Sequence, residues 1–373
     1  MTEELVFFTP LLPFPSGSGS AMRAAVALEI LAEKHSVVVV NTLQWGWRKG
    51  IFDRKWVEQR AAYLEIAPQA DAAALESVFR NRRLAGVYVY RLAAAPLALR
   101  VLALHPARAV LDLDDDECAR AERFLALREL GGDREIAART RAEIPQLRTL
   151  RRLLLPRFDK IFLASEADRR TLAEQFPRHK FAHLPNVIHT PEHPPCSNPE
   201  PGRLLFIGTL DYFPNEDAIL YFAESILPWI PNAAVRPTVR VVGPGAPDRV
   251  RALAIDIAGQ VSDLAPEYAR AAAVIVPLRA ASGTRIKILE AFAFGRPVVS
   301  TSIGAEGLNV TDGEHLLIAD DPSAFAQACE RLLRDPALGE RLAANAFAWL
   351  RENHSLAQAR AALHAAFERE DQR

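Results

Sequence analysis

Short runs of consecutive apolar residues recur along the chain, separated by longer amphipathic segments, and this alternation limits the folds available to it. The runs predict strands at 5–8, 37–41, 87–90, 110–113 and 160–164, and again at 204–207, 239–242, 273–276 and 298–300. Continuous apolar strands separated by helices, such as those predicted over 21–34 and 117–130, are typical of parallel sheets covered on both faces. We therefore expect an α/β fold with two doubly wound, Rossmann-like halves.

A proline-rich segment interrupts the alternation. Five prolines fall between residues 189 and 202, where neither a helix nor a central strand can continue. The pattern predicts a first domain over 1–187, a linker over 188–202, a second domain over 203–350 and a C-terminal helix over 351–373 that crosses back to the first domain. Because ligands bind beyond the carboxyl ends of parallel strands, we expect the two sheet rims to face one cleft.

The overall composition excludes several classes of protein. Half of the residues are apolar and the formal net charge is −1, which argues against a disordered chain. The three cysteines form no CxxC pair, so no structural zinc is expected. No apolar run is long enough for a transmembrane helix, and the first ten residues lack the basic region of a signal peptide. A cytoplasmic protein is expected.

The charge is unevenly distributed. Residues 1–187 carry a net charge of +5 and residues 188–373 a net charge of −6, and the stretch 77–111 contains six arginines and no acid. A second basic segment, 141–157, places five arginines among leucines. These features favour an anionic partner such as a phosphate or an anionic membrane surface. The alternatives are an ordinary solvated face for 77–111 and, for 141–157, an amphipathic helix that packs its leucines inward. The few interspersed aromatic residues argue against nucleic acid.

A glycine-rich loop follows the first predicted strand. Gly17 and Gly19 let backbone amides approach a ligand closely, and the helix that follows favours an anion at its amino end. The spacing is not GxGxxG, and no acidic residue stands where a dinucleotide ribose would need one. A dinucleotide site is therefore disfavoured, and a plain flexible loop remains the alternative.

The segment 282–299 carries the sharpest chemical signal. It follows a predicted strand and opens a helix, so that backbone amides at the helix start, together with two basic side chains, suit a diphosphate. The residues concerned are Ser282, Gly283, Thr284, Arg285 and Lys287. Glu290 lies further along the same, otherwise apolar, helix, where a carboxylate needs polar partners such as sugar hydroxyls.

These motifs together resemble the family 4 glycosyltransferases, which have the GT-B fold. The matching stretches are LLFIGTLDYFPNEDAILYF, VRVVGPG, AAAVIVPL, SGTRIKILEAFAFGRPVVST and IGAEGL. With LPNV before the linker and the glycine loop near the start, the resemblance covers nearly the whole chain. It implies an acceptor-binding first domain and a donor-binding second domain.

The resemblance also implies roles for individual residues. Glu290 matches the second glutamate of the family's paired-glutamate motif, which holds the nucleotide ribose. Ser282 stands where the first glutamate, which touches the transferred sugar, is usual, and this departure leaves the donor sugar open. A small residue there resembles a subgroup linked to exopolysaccharide assembly. Gly283 and Thr284 match the loop that meets the sugar and diphosphate.

Three residues of another loop complete the expected donor site. Gly208 matches a glycine close to the donor, and Asp211 and Asn215 are its neighbours. Arg285 and Lys287 are candidate catalytic cations by their chemistry, because relatives often carry their basic pair elsewhere.

The acidic run that begins at Asp112 invites a metal-site interpretation. Asp112 and Asp114 form a DxD triplet, which holds a metal in the other major glycosyltransferase fold, but GT-B members do not need that ion. We therefore predict no metal and no cofactor. Asp114 is a candidate catalytic residue facing the donor sugar, and helix capping by Asp115 or Asp116 is the alternative.

The predicted activity is a retaining, metal-independent transfer of a sugar from a nucleotide-diphosphate sugar to a hydroxyl of a glycan or lipid-linked acceptor. The expected context is polysaccharide or glycoconjugate assembly, with peripheral contact at the inner membrane face. A nucleotide-sugar epimerase on the same fold, or a non-catalytic nucleotide-sugar binding protein, remains as an alternative.

Overall fold

The computed structural model describes residues 4–42, 54–65, 72–188, 190–195, 198–230, 236–281, 283 and 285–368. The chain divides into two compact units. The first comprises Met1–Ala121, Ala138–Val187 and Leu356–Arg373, and the second comprises Glu122–Ala137 and Ile188–Ser355. Each unit is built on its own parallel sheet.

The first unit contains a seven-stranded sheet in the order β3-β2-β1-β4-β5-β6-β7, in which all neighbouring strands are parallel. Its strands are β1 (Glu4–Thr9), β2 (Ser36–Asn41), β3 (Ala62–Glu65), β4 (Leu84–Tyr90), β5 (Ala109–Asp114), β6 (Lys160–Leu163) and β7 (Phe181–His183). The central strands are buried along their length because helices cover both faces.

The helices of this region connect successive strands, and one arrives from the far end of the chain. They are α1 (Gly19–Ala32), α2 (Arg54–Glu58), α3 (Ala72–Phe79), α4 (Ala95–Leu102), α5 (Glu117–Leu130), α6 (Arg134–Leu154), α7 (Glu166–Gln175) and α15 (Leu356–Phe367). The two faces of the sheet form separate apolar clusters, and α15 contributes Leu363 and Phe367 to one of them.

The second unit contains a six-stranded parallel sheet in the order β10-β9-β8-β11-β12-β13. Its strands are β8 (Arg203–Ile207), β9 (Thr238–Val242), β10 (Asp256–Gly259), β11 (Ala273–Val276), β12 (Val298–Ser300) and β13 (Leu317–Ile318). Its helices are α8 (Phe213–Tyr221), α9 (Asp248–Arg251), α10 (Ala265–Arg270), α11 (Ile286–Ala293), α12 (Ser302–Ala305), α13 (Pro322–Arg334) and α14 (Pro336–Asn353).

The units differ from the predicted boundaries in an internal segment, in the linker and at the end of the second domain, which extends to Ser355. Residues 122–137, expected in the first domain, belong to the second unit. Phe124 packs edge-on against Phe213 with ring centroids 6.3 Å apart, and the Arg128 guanidinium lies 4.0 Å from the centroid of the same ring. The predicted linker over 188–202 contains no helix or strand at its described positions and is part of the second unit.

Crossing a membrane requires a helix that is both long and apolar. Within the described ranges, every helix falls short of the combination of length and apolar character that crossing a bilayer requires.

Candidate functional site

The order of strands in the second sheet creates a crevice at its carboxyl edge. β8 lies between β9 and β11, so that the connection after β8 runs to one side and the connection after β11 runs to the other. Ligands of doubly wound sheets bind where the strand order reverses in this way. The residues predicted at the donor site lie on these two connections: Gly208, Asp211 and Asn215 after β8, and Gly283, Arg285, Lys287 and Glu290 after β11.

Glycines allow the loop after β8 to pack closely at this edge. A Cβ atom on Gly208 would lie 2.6 Å from the side-chain nitrogen of Asn215. Gly243, with φ of 151°, sits so close to the Gly208 carbonyl oxygen that its Cβ would lie 1.9 Å away. Asp211 is exposed and packs against Gly245 in the same way. Without side chains at these glycines, the loop can bring the Asn215 amide to the floor of the crevice.

Asn215 and Lys287 meet across the crevice. The Asn215 side-chain nitrogen donates to the Thr209 carbonyl oxygen at 3.0 Å, which leaves Oδ1 to accept from Lys287 Nζ at 2.6 Å. The Lys287 ammonium also lies 4.3 Å from the centroid of the Phe206 ring, at a distance typical of a cation–π contact. Contacts from β8 and from the connection that follows it therefore hold the ammonium of α11 at the strand reversal.

Lys287 is half-buried and lacks a counterion. In the ranges that the structure describes, no carboxylate oxygen lies within 4.0 Å of its nitrogen. Burial and, to a smaller extent, the nearby Arg285 charge lower the pKa of the Lys287 ammonium to about 7, against the opposing effect of Glu290. A cation held away from water without a partner charge is a ready site for an anion.

Glu290 lies one turn further along α11 and faces a different neighbour. Its Oε2 accepts from the Tyr268 hydroxyl at 3.1 Å, and the fully buried Tyr268 ring stacks on Phe294 with centroids 4.5 Å apart. Burial raises the pKa of the Glu290 carboxyl to about 7, against the opposing effects of Tyr268 and Lys287. A partly desolvated carboxylate of this kind accepts hydrogen bonds from hydroxyl groups. Tyr268 carried no recognisable signal in the sequence.

Arg285 points toward its own loop. Its buried guanidinium donates to the Gly283 carbonyl oxygen and, at 3.0 Å, to the Ile303 carbonyl oxygen. These bonds order the turn in which Gly283 has φ of 65°. α11 begins at Ile286, and Arg285 at the N-cap position makes no side-chain hydrogen bond to the first turn. Ser282 and Thr284 lie outside the described residues.

The acidic run of the first unit is an ion-pair network. Asp112 is fully buried, and both its carboxylate oxygens accept from Arg23 at 2.9 Å, while the Tyr88 hydroxyl donates to it at 2.6 Å. Asp114, at the end of β5 with φ of 64°, accepts from Arg91 at 2.6 Å and from the Tyr90 hydroxyl at 3.0 Å. Both carboxylates of the DxD triplet are therefore already paired with arginines.

The rest of the acidic run is held similarly. Asp115 pairs with Arg91 and, at 2.9 Å, with Arg120, and Asp116 accepts from Arg151 at 2.6 Å. Asp116 also accepts from the Cys118 backbone amide at 3.0 Å and so caps α5. Across the described ranges, no three histidine, cysteine, aspartate or glutamate side chains are grouped as they would be around a metal ion.

The glycine loop of the first unit lies beside this network. Gly17 has φ of 96°, and Gly19 is the first residue of α1, where Ser18 accepts from the Ala21 amide at 3.2 Å. The Ser20 hydroxyl accepts from Arg91 at 3.2 Å, which ties the start of α1 to the guanidinium that also holds Asp114. The structure thus brings Gly17, Gly19 and Asp114 into one region of the first unit.

The segment that carries the crevice of the second sheet matches a known family. Residues 201–335 match the family described as Glycosyl transferases group 1. A D-inositol 3-phosphate glycosyltransferase of Frankia alni is 37% identical over 163 residues, which cover 38% of this chain and 39% of that protein. The chain thus matches well under half the length of this relative.

Solved structures resemble nearly the whole chain. HepE of Anabaena, crystallised with UDP and glucose, covers 97% of this chain and 98% of its own, with a TM-score of 0.68 and 13% identity. Sucrose-phosphate synthase of Thermosynechococcus elongatus covers 98% of both chains, with a TM-score of 0.70 and 12% identity. The fold is GT-B. The two doubly wound GT-B sheets expected from the sequence are thereby confirmed, and the family match falls on the GT-B unit that carries Asn215, Lys287 and Glu290.

Proposed function

We propose that the protein is a glycosyltransferase that moves a sugar from a nucleoside diphosphate sugar to an acceptor hydroxyl. The observation that carries the proposal is the pair of half-buried, oppositely charged side chains of α11. Lys287 and Glu290 are one turn apart, form no ion pair with each other, and face different neighbours. A ligand with a diphosphate and a ribose offers an anion to the first and hydroxyl groups to the second.

The reaction breaks the bond between the anomeric carbon and the diphosphate oxygen, and forms a bond between that carbon and the acceptor oxygen. Negative charge develops on the departing diphosphate, where Lys287 and the first-turn amides of α11 are placed to stabilise it. The departing diphosphate helps to take the proton of the acceptor hydroxyl. Retention of the anomeric configuration is part of this proposal, and its support is the resemblance to family 4.

Catalysis without a metal ion is also proposed. The diphosphate charge is met by an ammonium and by backbone amides, and the two acids of the DxD triplet are occupied by Arg23 and Arg91. A metal at Asp112 and Asp114 would have to displace both arginines from buried positions, which leaves two guanidinium charges without partners.

The acceptor is proposed to be a glycan or a lipid-linked molecule, in polysaccharide or glycoconjugate assembly, with the enzyme in the cytoplasm and at the inner membrane face. Arg141, Arg148 and Arg152 are exposed on α6, and Leu153 is 61% exposed beside them. Such a surface suits an anionic membrane.

The acid-free stretch 77–111 gives this proposal less support. Two of its arginines, Arg80 and Arg82, pair with acids elsewhere in the unit at 2.8 and 3.1 Å, and Arg91 is buried.

A nucleotide-sugar epimerase is the second candidate. The pKa of Glu290, raised to about 7, suits a group that transfers protons near neutral pH.

One experiment separates the candidates: incubation with a nucleoside diphosphate sugar labelled in the sugar, followed by chromatography of all labelled products. We expect labelled sugar on an added acceptor together with free nucleoside diphosphate.

The same assay defines the alternatives. A labelled nucleotide sugar with changed sugar configuration would establish the epimerase, and binding without any product would establish a non-catalytic binding protein.

Glu290→Gln should weaken nucleotide binding by roughly 1–3 kcal/mol, the scale of a hydrogen bond to a charged group. Unchanged affinity in calorimetry would remove Glu290 from the site.

A further inference from the structure

We propose that Asn215 is the positioning residue of the donor site and orients the Lys287 ammonium toward the diphosphate. Because Asn215 is neutral, the positive charge of Lys287 stays available to that anion. The inference rests on the proposed function and adds to it the side chain that prepares the cation. It concerns a residue from the connection after β8 acting on a residue of α11.

The orientation of the Asn215 amide is determined by its surroundings. Its side-chain nitrogen donates to the Thr209 carbonyl oxygen at 3.0 Å, and its backbone amide donates to the Tyr212 carbonyl oxygen at 2.9 Å. The Asn215 amide packs closely against Gly208, where a Cβ atom would lie 2.6 Å from the side-chain nitrogen. The amide oxygen therefore faces Lys287, and the 2.6 Å hydrogen bond holds the ammonium in one place.

Several other buried cations of the chain are paired directly with carboxylates. Each of several buried arginines has a carboxylate within 2.9 Å: Arg23 with Asp112, Arg91 with Asp114, Arg151 with Asp116, and Arg203 with Glu267. Lys287 has an amide oxygen in the corresponding place. A carboxylate at position 215 would satisfy the ammonium and remove the attraction for a second anion, so the neutral side chain is the property that matters.

The other groups around Lys287 do not replace this role. The Phe206 ring below it carries no net charge, Arg285 has the same sign, and Glu290 exerts only a longer-range attraction while its carboxylate faces Tyr268. Among the described neighbours, Asn215 alone hydrogen-bonds the ammonium. We therefore expect its effect on binding to pass through Lys287.

The test is Asn215→Asp, which has nearly the same shape and adds a counterion. We expect the affinity for UDP-glucose at pH 7, measured by calorimetry, to fall roughly tenfold. The loss of affinity at alkaline pH should also move to higher pH, because a carboxylate stabilises the charged ammonium. Asn345→Asp is the matched control, since the Asn345 side chain also donates to a backbone carbonyl at 3.0 Å but lies elsewhere on the second unit.

A second measurement needs no nucleotide. NMR titration of the six lysines, labelled by reductive methylation and assigned with Lys287→Arg, follows the Lys287 amine directly. Its midpoint should rise in Asn215→Asp and stay unchanged in Asn345→Asp. Asn215→Ser serves if the aspartate variant does not fold: it should weaken UDP-glucose binding roughly tenfold without raising the midpoint.

The outcomes are distinct. Wild-type affinity and an unmoved Lys287 midpoint in folded Asn215→Asp would overturn the positioning role, as would wild-type affinity in Asn215→Ser. If no nucleoside diphosphate sugar binds the wild-type protein while the NMR midpoint still rises in Asn215→Asp, the proposed function fails. In that case the contact between Asn215 and Lys287 stands, and its role toward a diphosphate is overturned.

Discussion

Lys287 and Glu290 both titrate near neutral pH in the free protein, so the affinity for a nucleoside diphosphate sugar should fall on both sides of pH 7. Lys287 binds a diphosphate in its charged form, which is lost as the pH rises through about 7. Glu290 accepts ribose hydroxyls best as a carboxylate, which is lost as the pH falls through about 7. The profile should be bell-shaped.

The size of the effect follows from the two pKa values. Once the pH is beyond the pKa, each further unit reduces the binding-competent fraction of one group about tenfold, or about 1.4 kcal/mol. If only the charged form of each group binds, about a quarter of the protein is competent at pH 7 and about 1% at pH 9 or pH 5, so affinity at either extreme should be roughly 25-fold below its maximum.

Calorimetric titration with UDP-glucose between pH 5 and 9 measures this profile. A nucleotide sugar is preferred over a free nucleoside diphosphate, because a terminal phosphate has a second pKa of about 6 that would add its own pH dependence. Lys287→Gln should lower the affinity and abolish the alkaline fall, and Glu290→Gln should abolish the acidic fall. Constant wild-type affinity across the range, or a fall that survives in its matching variant, would refute the reasoning.

Glycine packing, the buried ion pairs, the exposed arginines of α6 and the metal requirement each lead to a further outcome. Gly208→Ala should weaken UDP-glucose binding roughly tenfold in calorimetry, whereas Gly131→Ala, whose new atom lies 3.6 Å from its nearest neighbour, should not; equal affinities would contradict the packing argument. Asp112→Asn should lower the free energy of unfolding in urea by about 3–5 kcal/mol, and a loss below about 1 kcal/mol would mean that the buried pair is unimportant. Arg148→Glu combined with Arg152→Glu should abolish low-salt sedimentation with anionic vesicles, and equal recovery of the wild-type protein with neutral vesicles would exclude the membrane contact. Sugar transfer should persist in excess EDTA, and complete loss restored by manganese would reverse the assignment of the acidic run.

The strands that the sequence predicted and those that it missed differ in position within the sheets. All nine predicted strands are present at nearly the predicted residues. The four missed strands, β3, β7, β10 and β13, are the outer strands of the two sheets. Edge strands are short and covered on fewer sides, so they lack the continuous apolar run by which inner strands are recognised. Continuous apolar runs therefore predict the inner strands of a parallel sheet but not its edge strands.

Residues of the candidate site could be predicted only where a single short segment of the sequence shows their chemical character. Lys287 and Glu290 stand out as charged residues inside an apolar helix, and they lie at the strand reversal as half-buried groups. The partner of Lys287 is 72 residues away, and Arg23 is 89 residues from Asp112. Such pairings depend on which strands are neighbours, and a single sequence does not specify that. The acidic run therefore suggested a site where the folded chain has internal ion pairs.

The last described helix has a consequence for how the protein is made. α15 places Phe367 against Gly86, where even one added carbon would lie 2.5 Å from the ring, and Arg360 pairs with Glu33 at 3.0 Å. The ribosome delivers these residues only after the segment 188–355, which takes roughly 10–30 s to synthesise. Throughout that interval the nascent first unit has an apolar surface without its final cover, available to chaperones. At the end of the interval the second unit has its whole sequence, and the first unit still lacks α15. Of the two units, the one that is begun first is therefore the one that is completed last.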